Sequence, residues 1–299
     1  MKHSLSFKNL LKWLWTLLVL AFVVYYLINN RETLQASLVH LSWTTLLLAL
    51  SVIIVAKLLL TTNMLFALQK AGYTTSFRYC FNTYNLTQLA KYIPGSIWQF
   101  VGRVALLREK GVSATQIRDS MLAEHLWVLA SALLIGLLGV FLAGHFALIL
   151  HLDRYFTQLA GALIASSAII AVGLLFLPLG RRLLRWALRL RPGIKEATNL
   201  FFMWIFLGLA FWFVLHDFQQ QAVSLFYIIG LYALAYLVGF LVPFAPAGLG
   251  VREAILVFGL SSFVGVEVAI LLAGINRLLY FVVEALLGVA AFLWLEISK

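Results

Sequence analysis

Charge is scarce in this chain. Of its 299 residues, 11% are Asp, Glu, Lys or Arg and 63% are hydrophobic. That balance excludes a water-soluble globular domain and places the chain among polytopic membrane proteins. Cysteine is nearly absent: Cys80 stands alone, which excludes an internal disulfide and leaves the redox compartment open. Acidic residues number 11 against 22 basic ones, a formal charge of +11. In a chain this apolar the excess reflects basic inner loops and anionic lipid rather than nucleic acid, and no nucleic-acid partner is expected. Also missing are CxxC, HExxH, a Gly-Lys-Ser/Thr phosphate loop and a GxSxG elbow. Gly248-x-Gly250 lacks the third glycine of a dinucleotide fingerprint, and no His or Cys stands at ligand spacing from His125. Neither a metal nor a cofactor is expected. The chain reads as a transporter rather than an enzyme, with an enzyme acting on a lipid carrier as the third reading.

What is there is a series of apolar runs: 13–28, 43–68, 119–143, 156–177, 200–215, 222–241 and 264–295. Each approaches or exceeds the roughly 20 residues that cross a bilayer as helix. The last is long enough to be one tilted helix, or a short piece plus a span. Lys2, Lys8 and Lys12 precede the first run, and Arg181, Arg185 and Arg189 recur every fourth residue after the fourth. The latter spacing predicts a basic amphipathic helix on an anionic leaflet. This distribution predicts a cytoplasmic N-terminus in a bacterial inner membrane. The fold class expected is all-α, a single polytopic domain over 1–299 with about seven or eight spans.

Two stretches break the pattern. In 75–110 the centre reads Lys91-Tyr-Ile-Pro-Gly-Ser-Ile-Trp-Gln-Phe-Val-Gly-Arg103. Pro94-Gly95 stops a helix, and Ser96 with Gln99 has the spacing of a capping box for the next. The segment reads equally as a re-entrant hairpin or as two surface helices. The second stretch is 243–260. Pro243, Pro246, Gly248 and Gly250 interrupt an apolar run and are followed by Arg252, Glu253 and a half-helix to about Leu260. Lipid cannot satisfy irregular backbone, so such a break survives only inside protein or beside a wet cavity. A helix starting near Val251 would aim its positive end, Arg252 and the amides after Gly248 and Gly250 at a phosphate or carboxylate. Glu253 is expected to neutralise Arg252, to carry a coupling proton, or simply to start the helix. A shift of 152 residues pairs Tyr84 with Tyr236, Leu89 with Leu241, Pro94 with Pro246 and Gly136 with Gly288. Paired interrupted segments in two halves point to a transport site.

Ionisable residues inside the runs sharpen this. Lys57, Glu124, His125, Arg277 and Glu284 fall at expected membrane depth, where charge is costly and faces the bundle interior. Lys57 is expected to pair with Glu124 or Glu284. Arg277 shares a helix face with Glu284 and offers a fork for phosphate. A cavity lined by Arg103, Arg252 and Arg277 would suit an anionic lipid headgroup.

Pro246-Ala-Gly-Leu-Gly-Val-Arg-Glu253, then Gly265-Val266 and Arg277, resembles the membrane domain of lysylphosphatidylglycerol synthases, a family of flippase-like proteins. The first half, with KYIPGxxWQFxGR, is similar to a polysaccharide-locus-like sub-group. The resemblance covers essentially the whole chain. It implies translocation of an anionic phospholipid or a polyprenyl-phosphate-linked sugar. The alternative it leaves is a non-transporting membrane subunit beside lipid-linked glycan enzymes. A homo-oligomer is compatible with either.

Overall fold

The computed structural model describes residues 41–92, 97–144, 188–218, 222–242 and 245–296, with 28, 185 and 186. The expected span 13–28 apart from Ile28, the expected span 156–177, Arg181, the Pro94-Gly95-Ser96 turn and Pro243 lie outside the described residues. Eight α-helices are described: α1 Trp43–Lys70, α2 Phe77–Gln88, α3 Trp98–Glu109, α4 Ala114–Leu142, α5 Ile194–His216, α6 Leu225–Leu241, α7 Val251–Val264 and α8 Val266–Glu296. Single 3-10 turns, Leu89–Tyr92 and Pro246–Gly248, follow α2 and α6. Five of these segments are long and apolar enough to cross a membrane.

Helix starts follow local chemistry. Ser42 accepts the Thr45 amide at 3.0 Å, and Ser76 accepts the Tyr79 amide at 3.3 Å. Ser113 and Gln116 form a reciprocal capping box. The box expected at Ser96 is not how α3 begins: Ile97 is the N-cap, it makes no side-chain cap bond, and the helix starts at Trp98. The half-helix expected to about Leu260 continues four residues further to Val264, where Gly265, at a positive φ of 81° that glycine tolerates, turns the chain out of the helix. The final run is one 31-residue helix rather than two pieces.

The shift of 152 residues holds for whole elements. It carries the starts of α1, α2, α3 and α4 onto those of α5, α6, α7 and α8 to within four residues. The halves are inverted. Lys195, at the start of α5, reaches Gln69 near the end of α1 at 3.4 Å, and Asp217 after α5 accepts the Ser42 amide at 3.1 Å. The two equivalent helices are therefore antiparallel. Crossed packing follows the same symmetry, with α6 on α4 and α8 on α2. Glycines set the closest approach: a Cβ on Gly139 would lie 2.5 Å from the Phe226 carbonyl and 2.8 Å from Gly230 Cα. Small residues at such crossings let backbones pack where no hydrophobic drive exists.

α2 and α3, at 12 residues each, extend about 18 Å and cannot cross a hydrocarbon core of about 30 Å. They fold on each other instead: the Tyr79 hydroxyl donates to the Leu106 carbonyl at 2.8 Å. α6 and α7 form the equivalent hairpin, where Tyr227 donates to the Gly259 carbonyl at 2.8 Å. The first hairpin opens at the end holding the exposed Arg108, Lys110, Arg191 and Lys195; the second opens at the opposite end. The 3-10 turns at their tips touch.

Candidate functional site

Where the hairpin tips meet, a cavity of about 170 Å³ opens between α1, α4 and α8. It is lined by Lys57, Lys91, Arg103, Arg252 and Arg277, by Glu124 and His125, and by Tyr84, Tyr236 and Tyr280 among others. Lys57 lies at the middle of α1 and Glu284 just past the middle of α8. The ionisable groups therefore sit deep in the bundle rather than at its ends.

The charges sort into three carboxylate-centred groups. Glu284, 1% exposed, binds both Lys57 and Lys91 and accepts from the Tyr92 hydroxyl at 3.0 Å. Lys57 thus pairs with Glu284 and not with Glu124. Glu124 belongs to Arg103, whose Nη1 donates to both carboxylate oxygens at 2.8 and 2.9 Å. That guanidinium also lies over the Tyr84 ring. Glu253 sits 3.4 Å from Arg277 Nη1, which also donates to the Ala247 carbonyl at 3.1 Å. His125 bonds the Met121 carbonyl through Nδ1 and packs between Phe100 and Phe240. It joins no ion pair among the described residues.

Arg252 is different. It is 5% exposed, and no described carboxylate pairs with it. Its guanidinium lies 4.4, 5.1 and 5.6 Å from the ring centroids of Tyr232, Tyr280 and Tyr236. Nε and Nη2 are buried without an acceptor, as is Nη2 of Arg277. Aromatic faces attract a cation, yet they do not replace hydrogen bonds to oxygen. An arginine keeps its charge, so this side chain stays a buried, incompletely compensated cation.

The break that presents Arg252 is shaped by close packing. Gly248, at φ 71°, is so near α6 that a Cβ would lie 3.1 Å from the Gly239 carbonyl oxygen. Ala247 adopts φ 51°, a conformation L-residues disfavour, and its carbonyl is the one Arg277 holds. Of the amides expected to be free at this break, three are already bonded within it. Gly248 and Leu249 amides donate within the turn at 2.9 Å, and the Gly250 amide donates to Glu253 Oε2 at 2.7 Å. The start of α7 also abuts Gly239, whose added Cβ would lie 3.6 Å from the Arg252 amide. Arg252 is the charged side chain that lines the cavity from this hairpin.

Lys57, Arg103, Glu124, His125, Gly248, Arg252 and Arg277 thus line one cavity; Glu284 pairs with Lys57, and Gly250 bonds Glu253, which lies against Arg277. Sequence reasoning missed the roles of Lys91 and Tyr92, which lie in the quoted KYIPG motif, and of the tyrosines around Arg252. Tyr84 and Tyr236 were already paired by the repeat, and that was the available signal.

An inverted all-helical bundle with two hairpins meeting at a cationic cavity defines a multi-pass membrane protein. The chain belongs to the family described as the lysylphosphatidylglycerol synthase TM region, whose model matches residues 13–288. No curated protein matches it.

Proposed function

We propose that this protein translocates a lipid with an anionic headgroup, a phospholipid or a polyprenyl-phosphate-linked sugar, between the leaflets of the bacterial inner membrane. The observation that carries the reading is Arg252: a buried arginine at the meeting point of two hairpins, paired with no described carboxylate. Evolutionary membership in a lipid-associated membrane family supports it. So does the inverted repeat, since paired interrupted helices that meet inside a bundle are the usual frame of a transport site. The basic end of the bundle faces the cytoplasm in this reading, with the N-terminus on the same side.

A guanidinium makes a planar two-pronged contact with phosphate that lysine cannot copy. The test is reconstitution into vesicles carrying a fluorescent short-chain phosphatidylglycerol, with translocation read by chemical quenching of the outer leaflet. Arg252→Lys is expected to slow translocation about tenfold, and Arg252→Gln further, because a charge-assisted bond is worth about 1.5–3 kcal/mol. Parental rates in both variants, with monodisperse protein, would leave the arginine structural and remove the mechanism.

A further inference from the structure

We infer that the headgroup this cavity takes ends in a doubly charged terminal phosphate, a phosphomonoester, rather than in a phosphodiester. The inference rests on the translocator reading above and narrows its substrate class to lipids that end in phosphate, which sets aside the polyprenyl-phosphate-linked sugar, a phosphodiester. Two observations carry it.

The first is charge. Glu284 serves both Lys57 and Lys91, Glu124 serves Arg103, and Glu253 serves Arg277. By formal charge one lysine and Arg252 are left over, so the described residues around the cavity carry a formal excess of two positive charges. A phosphodiester brings one negative charge and leaves one cation exposed to a medium poor in water. A terminal phosphate, whose second proton is lost near pH 6, brings two.

The second is the count of donors. Nε and Nη2 of Arg252 form one edge of the guanidinium, the edge that grips two oxygens side by side, and both lack an acceptor. Nη2 of Arg277 lacks one as well. A fourth orphan, Nε of Arg103, belongs to a guanidinium already held by Glu124. Three unclaimed nitrogens on two arginines carry five N–H groups between them, and a terminal phosphate offers them three free oxygens where a diester offers two. The Arg252 edge is shielded from water by the neighbouring rings, so the guanidinium turns off its tyrosines as the phosphate arrives. This exchanges aromatic contacts for charge-assisted hydrogen bonds.

The test uses the full chain purified in detergent, titrated by calorimetry with three probes: dioctanoyl phosphatidic acid, dioctanoyl phosphatidylglycerol and inorganic phosphate. The monoester lipid is expected to bind about tenfold or more tighter than the diester, and inorganic phosphate more weakly than either lipid. In Arg252→Gln and in Arg277→Gln, checked for unchanged elution, the preference for monoester over diester is expected to fall toward one. Equal binding of the two lipids by the parent overturns this inference and leaves the anionic-lipid reading standing. Binding of neither lipid overturns both. Inorganic phosphate binding as tightly as the monoester lipid would show a soluble-anion site and would also overturn both. The parent titrations decide these outcomes even if a variant does not fold.

Discussion

At the scale of single residues, the cavity contrasts cations whose partners are fixed with one whose partner is missing. Glu284 holds two lysines in a site 1% exposed. Glu284→Gln leaves both ammonium groups without a counter-charge, and breaking a buried pair in this way costs about 3–5 kcal/mol. The expected result is a large fall in melting temperature in detergent. Arg252→Met should act in the opposite sense, removing an uncompensated buried charge while keeping a long apolar stem among Tyr232, Tyr236 and Tyr280. A melting temperature at or above that of the parent, together with loss of lipid handling, is expected. A strongly destabilised Arg252→Met would show that the tyrosine contacts alone make the arginine structural.

At the scale of elements, the glycine crossing of α4 on α6 fixes how the two halves meet. Gly139→Ala places a methyl group against the α6 backbone, whereas Gly274, on the exposed side of α8, has nothing within 4 Å of an added Cβ. The same substitution should therefore act differently at the two sites. Gly139→Ala is expected to destabilise by about 1–3 kcal/mol through overpacking against a backbone that cannot move aside. Gly274→Ala is expected to be neutral or to stabilise by up to about 1 kcal/mol through helix propensity. Thermal unfolding of both variants in one detergent measures the contrast; equal effects would mean that α4 and α6 do not cross at this point.

At the scale of the whole molecule, inversion places the described helix ends on a basic and a non-basic face. Arg78 near the start of α2 lies over Trp294 near the end of α8, so the end of α8 lies with the basic loops. Leu190 is buried, with its carbonyl accepting from Trp127 Nε1 at 2.7 Å, which makes it a poor labelling position. Arg191 and Glu267 are exposed at opposite ends of the bundle, and Cys80 is buried and should be silent. In intact cells Glu267→Cys is expected to react with an impermeant thiol reagent and Arg191→Cys only after permeabilisation. The reverse pattern would invert the orientation, and labelling of both from outside would contradict the two-faced arrangement.

Sequence by itself determined the class and most of the parts. Apolar run length gave the long helices of the described region, because lipid imposes both length and composition. Proline, glycine and the 152-residue echo located both hairpins, and the cost of charge in lipid picked out Lys57, Glu124, Arg277 and Glu284 before any coordinates. Helix ends were less legible: the N-caps at Ser42 and Ser76 are ordinary serines without a Glu or Gln three residues on, whereas Ser113 with Gln116 carries the capping-box spacing that the sequence reading places at Ser96 instead. Only tertiary structure decided which carboxylate serves which cation. Lys57 is 67 residues from Glu124 and 227 from Glu284, and neither separation predicts which helix packs on which. It also decided that the Gly248, Leu249 and Gly250 amides are bonded within the second break, and that Arg252 lies among tyrosines with no described carboxylate. A sequence shows that a charge is present at depth; only the folded packing shows whether that charge is neutralised.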